Sequence, residues 1–145
     1  MKTYKEEDLE KLGFSFNSET KTFCYPSKNL HLQGNIEVNA NLYFGKNFTC
    51  DGYVLARKIT AKCDITINKY LSCEKVSSSS LSVGEKLYVS RKIFCSYELN
   101  VNGGIDSGDI TSKFITVHGS IEALNISAEK LTIYGDISCK SLVSK

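Results

Sequence analysis

From Leu30 onward a large aliphatic or Phe side chain returns every five or six residues, and the residue two places after it is apolar or small. The blocks begin LHLQGN, IEVNAN, LYFGKN, FTCDGY, VLARK, ITAKCD and continue to LTIYGD, ISCKS, LVSK. All 21 opening positions are Ile, Leu, Val or Phe, and no third position holds a charge or an amide. Alternation of period two over three residues describes a short strand with one face inward, followed by a corner. A helix would need apolar residues at i, i+3 and i+4, which these blocks lack, and the β-branched residues and Asn-Gly, Gly-Asp and Gly-Gly corners favour strands and turns. Three blocks make one coil of 16–18 residues, with coils opening at Leu30, Phe48, Ile65, Leu81, Leu99, Ile115 and Leu131.

The pattern therefore predicts a triangular solenoid over 30–145. Its coils, stacked ~4.8 Å apart, make a rod roughly 30 Å long. Side chains should form ladders. The third slot of the first face is bulky (Leu32, Ile67, Val83, Val101, Val117, Ile133, with Cys50 the exception), whereas the second face carries Ala56, Cys73, Ser107, Ala123 and Cys139. On the third face Ala61, Ser78, Cys95, Ser112 and Ala128 are again small, and large against small fills a narrow triangle.

Residues 1–29 read differently. Thr3 with Glu6 matches a capping box, Glu6, Glu7 and Asp8 suit a helix N-terminus, and Gly13 can end the helix, which predicts a helix over 4–12. Phe14 and Phe16, then Phe23 and Tyr25, alternate around Asn-Ser-Glu-Thr and predict a hairpin. Together they form the cap that a solenoid needs over its first coil.

Coil length and the order large-x-small, as in Ile59-Thr60-Ala61 and Ile126-Ser127-Ala128, resemble the bactofilins, bacterial polymer-forming cytoskeletal proteins. Left-handed hexapeptide helices are usually written small-x-large. The resemblance implies an all-β, right-handed triangular parallel β-helix of about seven coils and a capacity to self-associate. A helix-plus-hairpin cap departs from the family pattern, in which flexible tails flank the core.

Chemistry is sparse. Six cysteines show no CxxC and no Cys/His spacing of the zinc kind, and no cofactor or metal is expected. Cys50, Cys73, Cys95 and Cys139 fall in third slots and read as core, leaving Cys24 and Cys63 as the exposed thiols. His31 and His118 lie on the outer side of the first face, in coils one and six, too far apart to cooperate. His118 is the one candidate if the chain were an enzyme of the β-helix acyltransferase type.

Three surfaces are candidates for partner binding. Arg57, Lys58, Lys75, Arg91 and Lys92 fall at one corner of coils two to four and should stack into a basic ridge, a docking stripe for an acidic partner or a phosphate backbone. Tyr43, Tyr88 and Phe94 point outward and would make a contact patch if neighbouring. Leu131, Ile133, Ile137, Cys139 and Leu142, in a last coil that nothing follows, offer a self-association surface, most simply in a homodimer. A net charge of +2 disfavours nucleic acid as the partner. The absence of an apolar stretch of ~18 residues and the polar start MKTYKEEDLEKL point to the cytoplasm and to no membrane contact. The expectation is a non-enzymatic interaction protein working through protein contact and self-association. The rival is a small inhibitor of the kind phages direct against a host nucleic-acid-handling defence enzyme.

Overall fold

The computed structural model describes residues 1–144, so Lys145, the last residue assigned to the repeat, lies outside the described residues. The chain winds into about seven stacked coils of a three-faced parallel β-solenoid. On the first face the parallel register runs Leu30 to Phe48 to Ile65 to Leu81, then to Leu99, Ile115 and Leu131. These are the seven coil openings read from the sequence. The second face aligns Ile36, Val54, Leu71, Leu87, Ile105, Ile121 and Ile137. The third aligns Leu42, Ile59, Val76, Ile93, Ile110, Ile126 and Leu142.

Packing follows from this register. Every block-opening residue from Ile36 to Ile126 is at most 2% exposed. Each contributes roughly 1.5–3 kcal/mol of burial, because its like lies directly above and below it. Corners are tight: at Gly119 an added Cβ would lie 2.7 Å from the Gly103 carbonyl, and at Gly135 2.6 Å from that of Gly119. Only glycine lets successive backbones approach that closely. In the middle of the rod the ladder runs through the corners, giving strands Leu71–Val83 and Leu87–Val101 of 13 and 15 residues.

The second face differs from its expectation. Its strands shrink to two residues at Val54–Leu55, Ile121–Glu122 and Ile137–Ser138. In the coils with two-residue strands the third slot belongs to the corner, so Ala56 and Ala123 are half-buried rather than core, as is Ser107 within its strand, while Val38, Cys73 and Val89 stay buried.

The cap combines a strand, a helical turn and a hairpin. Thr3–Tyr4 pairs in parallel with Asn35 and Ile36, adding a strand above the second face of coil one. The hairpin Ser15–Asn17 with Thr22–Tyr25 places its second strand in parallel above the third face, Phe23 over Leu42 and Tyr25 over Phe44. Asn17 Oδ1 accepts the amides of Glu19 and Thr20 and shapes the turn. Leu9, Phe14 and Tyr25 plug the end, Phe14 meeting Phe44 edge-on at 5.7 Å.

The helix is shorter than its sequence signature. It spans Glu6–Leu9, continues as a 3-10 turn Glu10–Leu12 and ends at Gly13, whose φ is 106°. Thr3 does not cap it, since Thr3 is held extended by the strand pairing and its hydroxyl accepts from Asn35 Nδ2 at 3.3 Å. Lys5 occupies the N-cap, and Asp8 reaches back to the Lys5 amide at 2.9 Å. Glu6 instead accepts the Asn39 amide at 3.0 Å, tying the helix to coil one.

Candidate interaction surfaces

The five ridge cations are brought to one corner but not to one state. Lys58, Lys75 and Lys92 stand in exact register on successive coils, with Asn41 above and Asp109 below. Arg57 turns away toward Glu74, Nε to Oε2 at 3.4 Å, while Arg91 is exposed beside Lys92. Among the described residues the ion pairs join Lys5 to Glu37 and Arg57 to Glu74, His31 lies against Asp51, and none of these contacts engages the lysine column.

The three outward aromatics do not meet. Tyr43 and Phe94 share one column of the third face, but Thr60 and Ser77 stand between them, which separates them by about 14 Å along the rod. Tyr88 lies on the second face, with Lys86 Nζ 5.0 Å from its ring centre. There it joins Glu37, Leu55, Ser72 and Asp106 along an open groove of about 920 Å³, closed at one end by Lys5 and Glu6 of the cap. Groove and cap are stitched together: Glu37 binds the Lys5 ammonium and accepts the Tyr53 hydroxyl at 2.6 Å. The Lys5 bond, then the Tyr53 bond, hold the Glu37 carboxyl below its ordinary range, and the same ion pair raises Lys5.

A comparison with protein-family models, with curated proteins and with solved structures finds no match. The surfaces must speak through their chemistry.

The histidines remain apart. His31 Nε2 lies 2.7 Å from Asp51, and Asn68 donates to the same carboxylate at 3.3 Å. His118 is exposed and stacks on Tyr134, ring centres 5.0 Å apart and 9° from parallel. No cluster of three or more His, Cys, Asp and Glu residues suited to a metal ion occurs among the described residues. Nor is any helix among them long and apolar enough to cross a membrane.

At the far end, the described residues of coil seven have a paired coil on one side. Among the described residues, strands Lys130–Ile133, Ile137–Ser138 and Ser141–Ser144 pair only with coil six, so all three present a bare hydrogen-bonding edge. Ile137 is 44% and Leu142 48% exposed, where their counterparts Ile121 and Ile126 one coil earlier are 1% exposed. Leu131, Ile133 and Cys139 are half-buried at the same end. Tyr134, 69% exposed, is a feature the repeat pattern passes over: it sits in a corner slot, and only the structure sets it on the rim of the open triangle.

Proposed function

We propose that this chain is a non-enzymatic β-solenoid interaction protein whose principal contact is with a second copy of itself, coil seven against coil seven. The observation that carries the reading is the wet end of the core: inward residues of all three faces and three bare strand edges converge in one coil. Edges of this kind recruit further strands. A two-fold axis across the rod brings the same triangle from both copies together, sets every terminal strand antiparallel to its partner and then closes. Stacking onto the opposite end meets the cap, where Thr3–Tyr4 and Thr22–Tyr25 already occupy two faces of coil one. The resemblance to the bactofilins supports self-association, and the cap favours a dimer over a filament.

Light scattering across a hundredfold concentration range tests this. The wild-type chain is expected to pass from monomer to dimer, and Ile137→Lys with Leu142→Lys to remain a folded monomer. A wild-type chain monomeric throughout would refute the proposal.

A further inference from the structure

Three lysines in register on successive coils are an unusual thing for a sheet to carry, with Asp109 the one acid at the end of their column. Like charges directly opposite one another weaken a sheet, and among the described residues no carboxylate lies within ion-pair distance of Lys58, Lys75 or Lys92. Their surroundings point the same way. The outward positions of the third face in coils two to four are Lys58, Thr60 and Lys62, then Lys75, Ser77 and Ser79, then Lys92, Phe94 and Ser96, without one acid. Glu74, one residue before Lys75, is taken by Arg57, and Asp109, the next position of the column after Lys92, accepts from Asn125 Nδ2 at 2.7 Å.

We propose that this face binds single-stranded nucleic acid. Stacked lysines ~4.8 Å apart make a straight cationic track parallel to the rod, and the neighbouring hydroxyl column offers donors to phosphate oxygens. Phe94, 40% exposed beside Lys92, and Tyr43, beyond Asn41, bracket the track with aromatic rings. A cationic track with aromatic platforms holds a single strand by its phosphates and its base faces, without reading sequence. A duplex is disfavoured, because its bases are already stacked and corners of two or three residues put nothing into a groove. An acidic protein segment could meet the lysines but has no use for the aromatic rings.

The experiment follows the fluorescence anisotropy of a labelled fifteen-nucleotide oligo-dT at low salt, with unlabelled polyglutamate as competitor. Binding is expected with a log–log salt slope near −2, from about three phosphate contacts at ~0.7 each. Lys58→Gln, Lys75→Gln and Lys92→Gln together should weaken it at least tenfold and flatten the slope, and Phe94→Ala should weaken it several-fold with the slope kept. Circular dichroism of each variant verifies folding. Absence of binding, or binding indifferent to the triple substitution, overturns the proposal. So does efficient displacement by polyglutamate with no effect of Phe94→Ala, which would assign the face to an acidic protein.

Discussion

The cysteines show what a repeat pattern conveys about a single residue. Cys50, Cys73 and Cys95 occupy third slots with coils above and below, and burial pushes their thiols up to about 11, about 12 and about 12. Because the thiolate is the nucleophile, these three should be inert near pH 8. Iodoacetamide is expected to modify Cys24, Cys63 and Cys139 in the native chain and the other three only on unfolding. Four or more labelled as fast as in denaturant would contradict the register. Cys139 reads in sequence like the other third-slot cysteines, but it lies half-exposed in coil seven, which among the described residues is paired on one side alone. Slot periodicity gives a side chain's direction; it says nothing about what lies beyond the coil. Charge has the same character. A net +2 argues against a polyanion partner, yet register gathers Lys58, Lys75 and Lys92 into one column while Glu37, Glu74, Asp106 and Glu122 go to or beside the second face.

Among the elements, the cap was the least legible. Its composition announces a helix and a hairpin, but the Thr3–Glu6 spacing fits a capping box that the fold does not use, because tertiary pairing claims Thr3 as a strand. Local spacing loses to two parallel pairings on coil one, neither of which a nearby residue can foretell. The Lys5–Glu37–Tyr53 junction gives the cap a pH response whose sign follows from the shifts. Glu37's lowered carboxyl contributes stability that is full above the ordinary carboxylate range and lost as pH falls through the folded value; Lys5's raised ammonium contributes below its ordinary range and loses it as pH climbs. Taking the protein from neutral pH to about pH 3 is thus expected to lower the protection of the Asn35 amide, which donates to the Lys2 carbonyl, relative to the unfolded chain at the same pH, before coils three to five respond. Glu37→Gln should bring that loosening to neutral pH. Unchanged protection at Asn35 in this variant would mean that strand pairing alone seats the cap.

For the whole molecule, the solenoid itself was readable because its physics is local and repeated: one register rule, applied 21 times, leaves few alternatives. Stability then accumulates from neighbour to neighbour, and a coil with one neighbour holds less than a coil with two. Amide exchange in the monomeric Ile137→Lys, Leu142→Lys variant should be fastest in coil seven and slow inward, while in the wild type it should fall at Ile133 and Leu142 as protein concentration rises. Exchange in coil seven independent of concentration would count against end-to-end association. The same nearest-neighbour construction makes the rod a strong column and a poor rope. Compressed along its axis it loads three parallel hydrogen-bonded walls at once, but drawn out by its two ends it would come apart one winding at a time, each releasing about 50–60 Å of extended chain.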